Sequence, residues 1–133
     1  MSYLLDTNVC IRFIRGLSPS IAQKFQEVNK DDIFVCSIVA GELAYGAYKS
    51  QYVDSNLKIQ SAFLNQFDSL PFDDKAAEFF GKIRADLALR GEPIGPYDLQ
   101  IAAIALANDC TLVTHNVREF GRIAPLKIED WEA

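Results

Sequence analysis

Residues 98–116 read DLQIAAIALANDCTLVTHN, a helical pattern that passes almost directly into a strand-like run. The helical part, residues 98–108, is apolar on every side, and a helix of that kind is buried inside its domain. The run TLVT at 111–114 is typical of a short buried strand. A buried helix that leads into a strand predicts a layered α/β domain.

The same alternation of strands and helices extends to both ends of the chain. Ser18 and Pro19 mark a helix start, Ser37 is expected to cap another helix, and Gly91 ends a third. Pro71 places its short strand at a sheet edge. Besides 111–114, the predicted strands are 3–5, 33–36, 70–72 and 126–128. Besides 98–108, the predicted helices are 8–15, 19–29, 37–50, 54–67, 74–90 and 117–121.

Strands that are separated by helices need crossover connections. Such connections produce a parallel sheet with helices on both faces. The chain has 133 residues, of which 50% are hydrophobic, and this length fits one compact domain. We therefore predict a single α/β domain over residues 1–133.

The composition restricts the class of protein. No apolar run reaches the roughly 18–20 residues of a membrane span, and the N-terminus lacks the basic segment of a secretory signal. We expect a cytoplasmic protein that does not contact a membrane. Cys10, Cys36 and Cys110 sit in or beside apolar runs and are expected to be buried thiols. The net charge of −5 argues against a general nucleic-acid coat, but it allows an enzyme that meets RNA through metal ions.

Polar side chains follow the predicted strands. They are Asp6, Thr7 and Asn8 after the first strand, Ser37 and Glu42 after the second, Asp98 at the start of the buried helix, and Thr114, His115 and Asn116 after the strand at 111–114. Ligands of open α/β sheets bind at the carboxyl ends of the strands. Four elements can thus bring Asp6, Glu42, Asp98 and Asn116 to one rim. Clustered carboxylates repel one another unless protons or cations intervene, and Mg²⁺ is a typical partner of such oxygen ligands.

Each of these residues also has a purely structural interpretation. The alternatives are a helix cap for Asp6, Thr7 or Asn8, a helix-dipole contact for Asp98, a solvated edge position for Glu42 and a turn for Asn116. His115 is the single histidine and offers neither a catalytic triad nor a zinc set, so we expect a surface or hydrogen-bonding residue. The structural interpretations do not predict one shared location, whereas the site hypothesis does.

Five longer stretches carry more specific information. They are YLLDTNVCI at 3–11, SIVAGELAYGAYKS at 37–50, IRADLALRGEPIGPYDLQIAA at 83–103, LVTHNVREFGRI at 112–123 and IEDW at 128–131. The patterns GEL-x-YGA-x-KS and PIG-x-x-D-x-x-IAA, in this order and spacing, are strong signals, whereas DTN alone is weak. Together the stretches resemble the PIN-domain ribonucleases and, more closely, the VapC toxins of bacterial toxin–antitoxin pairs.

The resemblance implies a three-layer α/β/α fold with a central, mainly parallel sheet, and RNA cleavage that depends on Mg²⁺ or Mn²⁺. The acidic positions of the family correspond here to Asp6, Glu42 and Asp98, of which Asp6 and Asp98 would hold the metal. The fourth position is Asp in many PIN domains and Asn in a VapC subgroup. Here it is Asn116, which leaves one charge fewer for a second metal. We expect supporting hydrogen bonds from Thr7, Asn8, Ser37 and Thr114.

The resemblance also implies the biological setting. Family members often cut structured RNAs, particularly tRNA anticodon stem-loops, and the VapC subgroup points to initiator tRNA. The implied partner is a VapB-type antitoxin, whose C-terminal arm would cover the acidic groove and whose N-terminal part would bind operator DNA. A toxin homodimer is implied as well.

Two other readings of the sequence stay open. One is a phosphohydrolase in which Asp6 attacks phosphate, although that class commonly has a second Asp where this chain has Asn8. The other is a non-catalytic interaction module that keeps the PIN-like fold and uses its acidic rim to bind a basic partner segment.

Overall fold

Five strands form one parallel sheet. In the computed structural model, which describes residues 1–132, the strands are β1 (Tyr3–Leu5), β2 (Ile33–Cys36), β3 (Asp68–Leu70), β4 (Thr111–Val113) and β5 (Ile128–Glu129). Their order across the sheet is β3-β2-β1-β4-β5, and every neighbouring pair is parallel. The expected α/β fold with a central parallel sheet is confirmed.

Helices connect the strands and cover the sheet. They are α1 (Thr7–Ile14), α2 (Pro19–Glu27), α3 (Ser37–Tyr48), α4 (Val53–Leu64), α5 (Asp74–Leu89), α6 (Pro96–Ala107) and α7 (Val117–Phe120), with a 3₁₀ turn at Lys30–Asp32. Because crossovers between parallel strands are right-handed, α1 to α4 lie on one face, and α5 and α6, which return the chain to β4, lie on the other. Within residues 1–132, no helix is long and apolar enough to cross a bilayer.

The strand order reverses beside β1, which pairs with β2 on one side and β4 on the other. Leu5 of β1 is in register with Val113 of β4, so the two strands end level with each other. The backbone N–H of Asp6 then donates to the Val113 carbonyl at 3.1 Å. Such reversal points form the ligand crevice of open α/β sheets. The residues after β1 and β4 therefore emerge side by side at the expected rim.

The core confirms which helix is internal. Every residue of α6 from Ile101 to Ala105 has no exposed surface, as its uniformly apolar sequence predicts. Cys10, Cys36 and Cys110 are free, buried thiols, as predicted. Burial raises the pKa of the Cys10 thiol well above its ordinary value, so this thiol is an inert core group.

Some predicted boundaries are wrong by two or three residues, and local hydrogen bonds explain two of the shifts. β3 ends at Leu70, not at residue 72, because Pro71 has no N–H for the ladder. α2 ends at Glu27 because Asn29 Oδ1 accepts the Asp31 N–H at 3.0 Å and starts the 3₁₀ turn. α4 ends at Leu64 rather than residue 67, and β5 starts at Ile128 rather than residue 126.

The helix caps answer one question that the sequence left open and correct one expectation. Of the three candidates for the cap of α1, Asp6 holds the position, and Thr7 and Asn8 do not. Ser37 is the first residue of α3 and not its cap, because Cys36 holds the N-cap position and makes no side-chain hydrogen bond there. The cap at Ser18, which accepts the Ile21 N–H at 3.3 Å, is as predicted.

Candidate active site

Asp6 lies where β1 ends and α1 begins. It is only 5% exposed, and its Oδ1 accepts the Val9 N–H at 2.8 Å. Asp6 is therefore both the N-cap of α1 and a buried carboxylate at the switch point of the sheet. The cap and the site interpretations, which the sequence offered as alternatives, describe the same side chain.

Burial controls the protonation of Asp6. Removal from water raises its pKa from 3.8 to about 6, while hydrogen bonds from the Thr114 hydroxyl and the Val9 N–H oppose the rise. The charges of Asp98 and Glu132 raise it a little further. A carboxyl group whose ionised form is this costly gains from a nearby cation.

Glu42 reaches the same place from α3. It is half-buried, and its Oε1 accepts the Thr7 hydroxyl at 2.6 Å. This hydrogen bond joins the start of α1 to the second turn of α3 and fixes the direction of the Glu42 carboxylate. Thr7 thus has a specific contact inside the cluster.

Asp98 stands in the first turn of α6. Partial burial is the main cause that raises its pKa, and the charges of Glu42 and Glu119 raise it further. The pKa of Asp98 therefore reflects mainly its partial burial and, to a smaller extent, the negative charges of α3 and α7. Glu119 was not among the residues predicted for the site.

Asn116 positions Glu119. As the cap of α7, its Oδ1 accepts the Glu119 N–H at 3.4 Å, and its Nδ2 donates to Glu119 Oε2 at 3.3 Å. The sequence pattern Asn-x-x-Glu, a capping-box spacing, contains the signal for this pair. Glu119 thereby lies beside the fourth site position, and the expectation that Asn116 leaves one charge fewer for a second metal stays a prediction.

The remaining predicted residues differ in their contacts. Thr114 has no exposed surface, and its Oγ1 accepts the Asn116 N–H at 3.0 Å. Asn8 and Ser37 line the cavity described next. His115 is exposed, and its Nδ1 lies 3.0 Å from Asp130 Oδ2, which agrees with the expected surface hydrogen-bonding role. The catalytic and supporting roles of these residues stay predictions.

An open cavity of about 1030 Å³ contains Asp6, Glu42 and Asp98 in its wall. We call these three carboxylates together with Glu119 the acidic centre. Within residues 1–132, none of the four forms an ion pair with a lysine, arginine or histidine. Carboxylates that are grouped in this way, and that form no ion pair with a basic side chain in the described residues, fit a divalent metal ion bound through oxygen.

The spacing of the carboxylate oxygens in the acidic centre limits how many of them can bind one metal ion directly. In residues 1–132, only His115, Asp130 and Glu132 have three ligand atoms within 4.8 Å of one another. The acidic centre is therefore wider than a compact ligand cage. A wide carboxylate set suits Mg²⁺, which keeps several water ligands and binds through one or two carboxylates.

The fold and the site define an α/β domain with an acidic cavity at the switch point of its sheet. The family model of the PIN domain matches residues 3–125. Among curated proteins, the tRNA(fMet)-specific endonuclease VapC of Shigella flexneri is 40% identical over 131 residues, 98% of each chain.

Two solved structures are also similar to this chain in sequence and in fold. A chain in the DNA-bound VapBC structure from Salmonella typhimurium is 40% identical, with a TM-score of 0.93 and 98% of both chains covered. A chain in the VapBC2 structure from Rickettsia felis, bound to a promoter DNA fragment, is 36% identical, with a TM-score of 0.92 and coverage of 98% and 99%. The chain belongs to the PIN-domain family and, within it, to the VapC ribonucleases.

Proposed function

We propose that this protein is the toxin of a type II toxin–antitoxin pair, an Mg²⁺-dependent endoribonuclease that cleaves the anticodon stem-loop of initiator tRNA and so stops translation and growth. The observation that carries the proposal is the acidic centre, in which Asp6, Glu42 and Asp98 line one cavity and form no ion pair with a basic side chain in residues 1–132. The relative named for tRNA(fMet) supports the substrate. The chain acts as one PIN domain over residues 1–133.

The side chains have distinct roles in this proposal. Asp6 and Asp98 hold Mg²⁺, with Mn²⁺ as a substitute. Glu42 orients the attacking water and accepts its proton, and Thr7 keeps the Glu42 carboxylate in place through the 2.6 Å hydrogen bond. Asn116 has a weaker role, in which it positions a water molecule or acts through a hydrogen bond, such as the one that it donates to Glu119. A bound divalent cation supplies Lewis-acid stabilisation of phosphate charge and lowers the pKa of water.

The nucleophile in this proposal is a water molecule activated by the metal ion. Because a water molecule attacks the phosphorus, the ribose 2′-hydroxyl takes no part in the reaction. The bond from phosphorus to the 3′-oxygen breaks, and the leaving oxygen takes up a proton. The products are therefore a 3′-hydroxyl end and a 5′-phosphate end. A 2′,3′-cyclic phosphate would require attack by the 2′-hydroxyl and is not expected.

A VapB-type antitoxin is the proposed protein partner. An apolar groove lies beside the acidic cavity and is lined by Ile14, Leu43, Ala47 and Ile59. Three further residues, Ile11, Glu42 and Gly46, line both the groove and the cavity. This continuity suits a C-terminal antitoxin arm with an apolar segment followed by a basic one. The antitoxin's N-terminal part binds operator DNA, so the toxin meets DNA only indirectly. The toxin itself forms a homodimer.

The nuclease function is tested by incubating the purified protein with initiator tRNA and, as a matched control, elongator methionine tRNA. The reactions contain either Mg²⁺ or EDTA, and the new ends are identified chemically. We expect Mg²⁺-dependent cleavage of the initiator species with 5′-phosphate products. Metal-independent cleavage or cyclic phosphate ends would contradict the proposal. A trapped phosphate ester on Asp6 would favour the phosphohydrolase, and an inert protein that still binds its antitoxin would favour the interaction module.

The partner is tested by adding the antitoxin with and without its C-terminal arm. The intact antitoxin should stop cleavage, whereas the shortened form should bind operator DNA and leave cleavage unchanged. Full inhibition by the shortened form would show that the arm does not cover the acidic cavity.

A further inference from the structure

Two exposed tyrosines stand on the rim of the acidic cavity. The side chains of Tyr45 and Tyr97 are 66% and 59% exposed, and both line the cavity that contains Asp6, Glu42 and Asp98. Tyr48 and Tyr52 are equally exposed, at 67% and 68%, but do not line it. Aromatic exposure is therefore present on and off the rim, and only the rim pair can contact a ligand held by the carboxylates.

The two rings lie close in sequence to carboxylates of the acidic centre. Tyr45 follows Glu42 by three residues in α3, and residues three apart in a helix share a face. Lys49 is one further turn along, and its Nζ lies 4.8 Å from the centroid of the Tyr45 ring. Tyr97 directly precedes Asp98 in the first turn of α6. Helices α3 and α6 thus each present one aromatic ring close to their carboxylate.

The charge of the cavity makes an aromatic contribution necessary for an RNA ligand. RNA is a polyanion, and the cavity wall carries three carboxylates but one basic side chain, Lys49, among residues 1–132. Phosphate contacts alone therefore give little affinity here. Stacking of a base on an aromatic ring is independent of charge and contributes about 1–3 kcal/mol per base on alanine substitution.

We propose that Tyr45 and Tyr97 stack on unpaired nucleobases next to the cleaved phosphodiester, with Lys49 contacting a neighbouring phosphate. This inference rests on the proposed nuclease function and names its substrate class, which is unpaired RNA of a loop or end. Paired bases keep their faces inside the helical stack, so a duplex cannot use the rings. Stacking accepts any base, so the pair selects for loop structure rather than for sequence.

The test compares rim and off-rim tyrosines in RNA binding and in cleavage. The probe is an unstructured oligoribonucleotide that carries 2-aminopurine, whose fluorescence falls on stacking, and the control probe is the same sequence in a duplex. We expect Tyr45→Ala and Tyr97→Ala each to weaken single-strand binding by about 5- to 150-fold and to reduce quenching. Tyr48→Ala and Tyr52→Ala should stay within about two-fold of wild type because neither ring lines the cavity.

Conservative variants and kinetics separate stacking from a merely structural role. Tyr45→Phe and Tyr97→Trp should bind like wild type, and the alanine variants should raise KM with kcat nearly unchanged. Equal losses in the off-rim variants, unchanged binding in both rim variants, or equal affinity for the duplex would overturn the inference. Loss of a dimer in sedimentation without loss of RNA affinity would also overturn it, because the rings would then serve a protein interface.

Failure of this inference and failure of the nuclease function are distinguishable. If wild-type protein binds and quenches the probe but never cleaves RNA, the catalytic proposal fails while the stacking result stands. If cleavage is normal and the rim variants bind like wild type, only the stacking inference fails.

Discussion

Two groups of carboxylates at the same end of the sheet differ in how their charge is balanced. In the first, the acidic centre, no carboxylate has a cationic partner among residues 1–132. In the second, which we call the paired cluster, Arg12 forms an ion pair with Glu132, and His115 Nδ1 lies 3.0 Å from Asp130 and 3.3 Å from Glu132. The paired cluster contains basic side chains that contact its carboxylates, whereas Lys49, the basic side chain in the wall of the acidic cavity, forms no ion pair with the acidic centre among residues 1–132.

The two groups also differ in how closely their ligand atoms are spaced. The paired cluster is compact, with three ligand atoms within 4.8 Å of one another, and the acidic centre is wider. Proximity of ligand atoms alone would therefore select the paired cluster as the metal site. The lack of ion pairs favours the acidic centre, because carboxylates without a counter-charge repel one another unless a cation intervenes. We therefore expect the metal at the acidic centre, on the basis of counter-charge rather than of compactness.

Loss of one carboxylate from each group should have very different effects on catalysis. We expect Asp98→Asn to lower the kcat of tRNA cleavage by at least about 100-fold, because it removes a proposed metal ligand. Asp130→Asn should leave kcat within about three-fold of wild type, because this carboxylate is already paired with a histidine. Single-turnover cleavage assays measure both. Similar losses in the two variants would remove the distinction between the groups.

Loss of the hydrogen bond between Thr7 and Glu42 should reduce the cleavage activity by an intermediate amount. Thr7→Val keeps the shape of the side chain and removes the donor of the 2.6 Å hydrogen bond to Glu42. Loss of a group that orients an active-site carboxylate typically costs about 10- to 100-fold in activity. Thr7→Ser should restore most of it because the hydroxyl returns. A Thr7→Val variant that cleaves RNA as fast as wild type would show that Glu42 does not need this orientation.

Stability should respond to pH through Asp6. Its pKa in the folded protein is raised from 3.8 to about 6, so protonated Asp6 stabilises the fold. This stabilisation is complete below pH ~4 and is lost as the pH rises through about 6. Without metal at pH 7.5, Asp6→Asn should therefore be more stable than wild type by about 1–3 kcal/mol, since Asn still caps α1.

Urea unfolding in EDTA at pH 7.5 and at pH 4 measures the Asp6 effect. The advantage of Asp6→Asn should disappear at pH 4, and addition of Mg²⁺ at pH 7.5 should stabilise wild type only. Asp130→Asn is the matched control and should bring no gain at pH 7.5. A variant at Asp6 that is less stable than wild type at pH 7.5 without metal would contradict the account.

The smallest effect is expected at the ion pair of the paired cluster. Arg12 is partly exposed, so Arg12→Met should lower the free energy of unfolding by only about 0.5–1 kcal/mol. High salt should reduce the difference because it screens surface charges. A loss of several kcal/mol would mean that the paired cluster holds the C-terminal segment more strongly than its exposure indicates.

The sequence contained enough to find three of the four carboxylates of the acidic centre. Asp6 follows a strand, Glu42 flanks the apolar stripe of α3, and Asp98 begins a buried helix, so topology alone brings them to one rim. Glu119 was not predicted because it lies beyond the turn after β4. Its place depends on the side chain of Asn116, which caps α7 and holds the Glu119 carboxylate.

The sequence did not indicate which basic side chains pair with which carboxylates. Arg12 is six residues from Asp6 and lines a cavity with it, yet its ion pair is with Glu132 near the other end of the chain. That pairing depends on Trp131, which is 1% exposed and stacks edge-on against Tyr3 and Phe25. The anchored tryptophan brings Glu132 to Arg12 of α1 and Asp130 to His115. A contact of this range follows from tertiary packing and not from local pattern.

The central claim is that a divalent cation binds the acidic centre and not the paired cluster. Electron paramagnetic resonance of Mn²⁺ titrated into wild-type protein, Asp98→Asn and His115→Ala tests it most directly. We predict that Asp98→Asn weakens Mn²⁺ binding by at least about 10-fold and that His115→Ala binds Mn²⁺ as wild type does. Normal binding by Asp98→Asn together with lost binding by His115→Ala would contradict the account.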